Sequence, residues 1–270
     1  MPDRQSLPRA TLQRSNAPAS ACLRTLASWL LGCFVLLATI GSAHARPQHY
    51  DTGDGLPQQQ VLALHQDQDG YLWVGTYSGL GRFNGREFRI YSTAEGLASN
   101  SVQAIASSAD GQVWIGSTRG LCSLKRGATR FTCPDLPGIS TGSVQALSAR
   151  GASLLVGTSQ GLYQLEPVAG SDGLDPPAVH TIISDLNITS LARDQDGSVW
   201  VGTPNGLLRW FAVTGQYASV HLPLASAPMV SALHVDGEQV WIGTSTGLLL
   251  LEREALGPPA GLPPAAEGMA

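Results

Sequence analysis

One eight-residue pattern, present in five copies, constrains the fold of this chain more than any other feature. Each copy consists of Trp or Leu, Val or Ile, Gly, Thr or Ser, two variable residues, Gly and Leu. The copies occupy residues 73–80, 114–121, 155–162, 200–207 and 241–248. Successive copies begin 41, 41, 45 and 41 residues apart. Because a repeat of about 40–45 residues is typical of propellers and solenoids, the spacing itself indicates the fold class.

Turn residues surround each copy and divide the repeat into short strands. An apolar segment begins eleven or twelve residues before each copy, at Val61, Val102, Val144, Ile188 and Val230. Asp-Gly pairs such as Asp69-Gly70 follow these segments, and this dipeptide favours a hairpin turn because Gly adopts positive φ. A second turn inside each copy and a third at Asn84-Gly85 complete four strands. We therefore predict an all-β chain, a β-propeller of four-stranded antiparallel blades with five repeats.

The apolar residues of the repeat are expected to pack between neighbouring blades. The Trp residues that begin four of the copies each offer about 150–250 Å² of surface for burial. Leu155 takes this place in the third copy, which predicts a thinner interface there. Gly75 and its counterparts are expected to allow the close approach of a neighbouring strand. The pattern therefore explains the fold and is not itself a catalytic motif.

Residues 61–85 resemble the two-component regulator propeller repeat. They contain Val-x-Ala-Leu, Asp-x-Asp-Gly, Leu-Trp-Val-Gly-Thr and Gly-Leu in the order typical of that family. The resemblance extends over about residues 47–252. It implies the periplasmic sensor region of a hybrid histidine kinase or a diguanylate cyclase. Because no kinase or cyclase region follows, we expect the output to lie on a membrane signalling protein, or the chain to be a receptor fragment.

The two ends of the sequence differ from the repeats. Residues 1–45 are expected to be a signal peptide, with a basic start, an apolar stretch over 25–40 and a cleavage site at 43–45. An uncleaved anchor and a lipoprotein signal ending at Cys33 are the alternatives. A sensor domain over 46–253 and a disordered Pro/Gly/Ala-rich tail over 254–270 follow. The mature chain is then periplasmic or secreted and does not span the membrane.

The start of the predicted sensor domain resembles the end of its first blade. Residues 48–56 align with residues 89–97, which form the last strand of that blade and its exit loop. Meanwhile the fifth repeat ends after its third strand. We therefore predict that an N-terminal strand completes the fifth blade and closes the ring, which would remove exposed sheet edges. A truncated seven-bladed ring is the alternative.

Charge and cysteine content limit the partners and the compartment. The formal net charge is −4, which argues against nucleic acid, because its recognition needs basic surfaces. Cys122 and Cys133 flank a hairpin centred near Gly127 and lie opposite each other. We predict a disulfide between them in an oxidising compartment. Two free buried cysteines are the alternative.

Catalytic and metal-binding signals are weak. Asp67-x-Asp69-Gly70 and Asp194-x-Asp196-Gly197 resemble calcium loops but lack the remaining ligands, so turn formation explains them better. We expect no metal, no cofactor and no enzymatic activity, and a sensor that binds a small polar ligand or glycan. A propeller enzyme of the lyase type and a structural scaffold for protein–protein interaction are the alternatives.

The two variable residues inside each copy are the candidate ligand site. They form the turn between the second and third strands, which should open on the same face as the loops that join the blades. The candidate residues are Tyr77, Ser78, Thr118, Arg119, Ser159, Gln160, Asn205, Ser245 and Thr246. Their types suit a sugar or a small acid, because an aromatic ring stacks and a guanidinium bonds in a bidentate way. Asn100 and Asp185 of the inter-blade loops are expected to complete the wall.

Overall fold

The computed structural model describes residues 47–167 and 176–252, and these form five antiparallel β-sheets in succession. Each sheet is a meander in which strands adjacent in sequence pair with one another. The chain is therefore a five-bladed β-propeller, as the repeat predicted. Within the described residues, no helix is long and apolar enough to cross a bilayer.

Three blades have four strands. The first comprises β1 (Val61–Gln66), β2 (Leu72–Thr76), β3 (Gly79–Phe83) and β4 (Phe88–Tyr91). The third comprises β8 (Val144–Arg150), β9 (Ser153–Thr158), β10 (Gly161–Glu166) and β11 (Ala178–Ser184). The fourth comprises β12 (Ser190–Arg193), β13 (Val199–Thr203), β14 (Gly206–Phe211) and β15 (Gln216–Val220).

The other two blades have three strands each in the described part of the chain. The second comprises β5 (Val102–Ser107), β6 (Val113–Ser117) and β7 (Gly120–Leu124), and the fifth comprises β16 (Val230–Asp236), β17 (Gln239–Thr244) and β18 (Gly247–Glu252). In the second blade a single bridge, Ser123 to Thr132, stands where a fourth strand was predicted. The prediction of four strands is therefore wrong for this blade.

A disulfide joins the hairpin that follows β7. Cys122 and Cys133 are bonded with an S–S distance of 2.02 Å. Ser123 and Thr132 exchange backbone hydrogen bonds of 2.8 and 2.9 Å directly beside them. The two cysteines thus occupy opposing positions across the hairpin, which is the pairing that the sequence symmetry indicated.

The core lies between blades. Four apolar clusters are present in the described residues, and each joins one blade to the next. Trp73 and Trp200 are fully buried in them, and Leu155 fills the equivalent place in the third blade. A Cβ on Gly75 would lie 2.7 Å from Val102 of the following blade, so this glycine does permit the close approach that was predicted.

The predicted closing strand is not formed. Residues 47–50 have no regular secondary structure, and Tyr50 packs on Phe83 and Phe88 of the first blade, with ring centroids 4.9 and 5.9 Å away. The match of residues 51–56 to 92–97 is nevertheless structural. Asp51 and Ser92 each cap a short 3₁₀ helix, Thr52–Asp54 and Thr93–Glu95, by the same capping box. The alignment therefore identified a shared loop and not a shared strand.

Two other expectations lie outside the described residues. The signal peptide over 1–45 and the tail over 254–270 lie there, as does Cys33 of the alternative lipoprotein signal. Residues 168–175, between β10 and β11, are also outside.

Candidate functional site

One hydrogen-bond arrangement builds the turn inside every copy of the pattern. The hydroxyl of the Thr or Ser donates to the carbonyl of the Gly three residues later. The pairs are Thr76–Gly79, Ser117–Gly120, Thr158–Gly161, Thr203–Gly206 and Thr244–Gly247, at 2.7–3.1 Å. Gly79 has a φ of 144°, a conformation that favours glycine. The two residues between them are thereby held in a fixed loop that points away from the sheet.

The turns and the inter-blade loops lie on the same face, which we call the mouth face. Ser99 and Thr118 share a hydroxyl hydrogen bond of 2.9 Å between the loop before β5 and the turn after β6. The backbone N–H of Ser159 donates to Ser143 (2.9 Å), and that of Ser245 donates to Met229 (2.9 Å). This arrangement agrees with the expectation drawn from blade topology.

All nine candidate residues are exposed on the mouth face. The hydroxyls of Thr118 and Ser159 contact the neighbouring loops, at Ser99 and Ser143. The other candidates are not brought together in this way. Within residues 47–167 and 176–252, no hydrogen bond, ion pair or ring contact joins the side chains of Tyr77 and Arg119. The turns therefore present separate polar groups on the mouth face.

The two inter-blade residues expected in the wall have different roles. The side-chain oxygen of Asn100 accepts a hydrogen bond from the Thr93 backbone (2.9 Å), so it stabilises the 3₁₀ helix that begins there. Asp185 is exposed and has a φ of 58°, in the left-handed region. Asn100 is thus a structural residue, whereas Asp185 remains available to a ligand.

Polar contacts between neighbouring blades, close to the starts of their inner strands, were not predicted. Ser143 donates to the side-chain oxygen of Gln103 (2.7 Å), and Gln145 donates to that of Asn187 (3.1 Å). Thr189 donates to the carbonyl of Val230. The available signal was the second residue of each apolar segment, which is Leu62, Gln103, Gln145, Thr189 and Ser231. Four of these five are polar, and the structure leaves them half-buried or, at Ser231, exposed.

A cleft of about 290 Å³ opens between the fourth blade and the loop that leads to the fifth. It is lined by Asn205, Leu207, Val220, His221, Leu224 and Ser226, among others. Asn205 is one of the candidate residues, and His221 adds an exposed imidazole. The cleft thus combines an apolar floor with amide, hydroxyl and imidazole groups, which is a usual composition for a small-molecule site.

Two of the turns read Gly-x-Ser-x-Gly, at residues 157–161 and 243–247. In hydrolases this pattern places a nucleophilic Ser on a sharp strand-to-helix turn beside a His. Here both serines lie in strand-to-strand hairpins. Moreover, the Ser159 hydroxyl accepts a hydrogen bond from the Ser143 backbone (3.3 Å). The local geometry is therefore that of a propeller turn.

The Asp-x-Asp-Gly loops lie at the other end of the blades, and their carboxylates are already engaged. Asp67 accepts hydrogen bonds from the backbone of Asp69 (3.0 Å) and Tyr71 (2.9 Å). Asp194 is buried against Arg209, at 3.2 Å. No cluster of three or more His, Cys, Asp or Glu suited to a metal occurs in the described residues. The loops thus act as turns.

Burial alters the pKa of two basic groups near these loops. His65 donates or accepts a hydrogen bond with the Ser107 hydroxyl (2.7 Å), and its burial lowers its pKa, against an opposing effect of Asp67. Burial, with a contribution from Arg150, lowers the pKa of Arg193 to about 10. Arg193 nevertheless stays charged and bonds Ser148 of the preceding blade at 3.1 and 3.2 Å. Both residues therefore connect neighbouring blades.

Three segments of the chain match the family model described as "Two component regulator propeller", at residues 55–78, 96–119 and 182–205. The first two segments cover the start of the first and second blades, and the third runs from the end of β11 into the fourth blade. These three segments are similar to two-component regulator propeller repeats. Each matched segment ends inside a mouth turn, at Ser78, Arg119 and Asn205.

Similar proteins include sensors and a secretion component. A 38-residue segment is 53% identical to histidine kinase P4 of Formosa agariphila, which is 14% of this chain and 3% of the kinase. The extracellular domain of a protein described as a one-component system of B. thetaiotaomicron has a TM-score of 0.62 and 24% identity, over 76% of this chain and 28% of that one. PorZ of Porphyromonas gingivalis, a surface component of the type-IX secretion system, has a TM-score of 0.58 and 18% identity, over 79% and 35%.

The chain is short relative to the three similar proteins. The chain spans well under two thirds of each of these three proteins. At these identities the two solved structures establish the fold alone.

Proposed function

We propose that this chain is a non-catalytic sensing module that binds a small polar ligand or a glycan at the mouth face. The observation that carries the proposal is the contrast within the turns. All five have the same hydroxyl-to-carbonyl hydrogen bond, yet their two outward residues differ in every blade. Since the fold does not require these differences, ligand recognition accounts for them.

The similarity to sensor proteins supports a location outside the cytoplasm. Two of the similar proteins are a histidine kinase and the extracellular domain of a signalling protein. We propose export to the periplasm or beyond, with the signal passed to a membrane signalling protein. The disulfide between Cys122 and Cys133 suits an oxidising compartment.

A thermal-shift screen tests ligand binding. The purified chain is heated with a panel of mono- and oligosaccharides and small carboxylic acids, and each hit is titrated. A ligand at 100 times its Kd adds about 2.7 kcal/mol to the free energy of unfolding, which raises the melting temperature measurably. Concentration-dependent shifts by one chemical class support the proposal. If no compound of either class shifts the melting temperature, the proposal of a small polar ligand is wrong.

A further inference from the structure

The four interfaces between successive blades share one contact. Val102, Val144 and Val230 begin the inner strands of their blades, Ile188 stands two residues before that of the fourth blade, and each of these is 0% exposed. Each lies against a glycine on the second strand of the preceding blade. A Cβ on that glycine would come within 2.6–2.8 Å of the Val or Ile side chain, the glycines being Gly75, Gly116, Gly157 and Gly202. A β-branched side chain over a glycine is therefore the basic unit of blade-to-blade packing in this chain.

A leucine completes each interface. It follows the mouth turn at the start of the third strand, and the next blade covers it. Leu80, Leu121, Leu162 and Leu207 are between 0% and 2% exposed. Four interfaces in the described residues thus repeat the same glycine and the same leucine on one side, and the same β-branched residue on the other.

The outer faces of the first and fifth blades each present half of such an interface without its counterpart. In the first blade, Val61 is 40% exposed and Leu64 is 64% exposed. In the fifth blade, Leu248 is 66% exposed, and a Cβ on Gly243 would meet only its own blade, at Ala232. β1 packs on β5 and β12 packs on β16, but comparable packing between β16 and β1 is absent from the described part of the chain. Residues 47–167 and 176–252 therefore carry both halves of a fifth interface, and among these residues neither half is covered by another blade.

We propose that the fifth blade of one copy docks on the first blade of a second copy. Val61 of the second copy would lie over Gly243, as Val102 lies over Gly75 within the chain. Leu64 would join Leu248 in one apolar cluster, as their counterparts Ile105 and Leu80 do. The four internal interfaces show which surface fits the open face of the fifth blade. In each of them the partner is the inner strand of another propeller blade. A second copy supplies that strand while leaving the four internal interfaces unchanged. The contact is head-to-tail, so it uses two different surfaces of each copy.

Sedimentation velocity of the full chain over a range of concentrations tests the association. The parent chain should form larger species as its concentration rises. Leu248→Asp should weaken this association about tenfold or more, because it places a charge in an apolar interface. Val213→Asp is the matched control, since Val213 is 95% exposed on the fourth blade and should leave association unchanged. A monomer at every concentration, or an oligomer that Leu248→Asp leaves intact, overturns the proposal.

Cysteine pairing tests the geometry. In a background where Cys22 and Cys33 are serine, Leu64→Cys and Leu248→Cys chains are purified separately, mixed and oxidised. Docking brings the two thiols to an effective concentration on the order of mM, so a disulfide-linked dimer should form in the mixture. It should not form when Val213→Cys replaces Leu64→Cys. A chain carrying both cysteines that links only within itself shows that the ring closes alone, which also overturns the proposal.

Discussion

The indole nitrogen of Trp73 donates a hydrogen bond of 2.7 Å to a carboxylate oxygen of Asp67, six residues earlier. Trp200 and Asp194 form the same bond at 3.1 Å in the fourth blade. Asp67 therefore fixes the hairpin turn through backbone N–H groups and positions the largest core side chain of its blade. In the fourth blade Arg209 joins the arrangement, lying 4.7 Å from the Trp200 ring centroid and bonding Asp194 and Asp196.

The two aspartates should differ in their contribution to stability. Asp194→Ala leaves the buried guanidinium of Arg209 with Asp196 as its one remaining carboxylate partner among the described residues, and we expect it to lower the free energy of unfolding by about 3–5 kcal/mol. Asp67→Ala removes the indole bond and the two backbone bonds of the turn without stranding a charge, and we expect a loss of about 1–3 kcal/mol. Urea denaturation of both variants measures the difference. Equal losses would contradict the role assigned to Arg209.

Glycine substitutions should separate the packed interfaces from the open one. The Cβ of Gly157→Ala would lie 2.6 Å from Ile188, so the blades must move apart, and we expect a loss of about 1–3 kcal/mol. Gly243→Ala is the matched control, because its nearest neighbour is 3.2 Å away on the same blade. Its free energy of unfolding at low protein concentration should change by less than about 0.5 kcal/mol. A large loss at Gly243 would show that another blade covers this residue.

His65 should make stability depend on pH. Burial lowers its pKa below the ordinary value of 6.5, so the folded state favours the neutral ring. The contribution of the neutral His65 ring to the free energy of unfolding is therefore fully present above about pH 6.5. It is lost as the pH falls through the lowered pKa. The melting temperature of His65→Gln should fall less than that of the parent between about pH 7.5 and 5.5. Parallel curves for the parent and His65→Gln over this range would count against this effect.

The hairpin disulfide between Cys122 and Cys133 should add stability to the protein. Its loss under reductant should lower the free energy of unfolding by about 2–3 kcal/mol, through a less constrained unfolded chain. The intact mass of the oxidised protein should be lower than that of the reduced protein by two hydrogen atoms. Full alkylation of Cys122 and Cys133 without reductant would contradict the disulfide.

The sequence predicted the blades well because their signals are local. Each copy of the pattern contains its own turn, its own glycine and its own leucine, so strand order follows directly. The N-terminal closing strand was predicted wrongly because its formation does not depend on a local signal. Asp51 and Ser92 form the same capped loop, but whether a strand precedes that loop depends on where blade five lies, and no local pattern records this.

The candidate site was also predicted only in part, because some of its features are local in sequence and others join distant residues. Exposed turn residues such as Arg119 were predicted, because their positions follow from blade topology. The bond between Gln145 and Asn187 was missed, since it joins residues 42 positions apart on different blades. The cleft beside Asn205 was missed for a similar reason, because its walls come from β15 and the loop after it.

Ligand affinity in mouth-face variants tests the central claim most directly. A ligand from the thermal-shift screen is titrated by calorimetry into the parent, Arg119→Ala and Tyr77→Ala. Arg126→Ala is the control, because Arg126 is an exposed arginine that pairs with Asp69 near the opposite end of the blades. We expect Arg119→Ala and Tyr77→Ala each to weaken binding by about 1–3 kcal/mol with unchanged melting temperature, and Arg126→Ala to bind as the parent does. Unchanged affinity in both mouth variants, with weaker binding in Arg126→Ala, would place the ligand on the opposite face and contradict the claim.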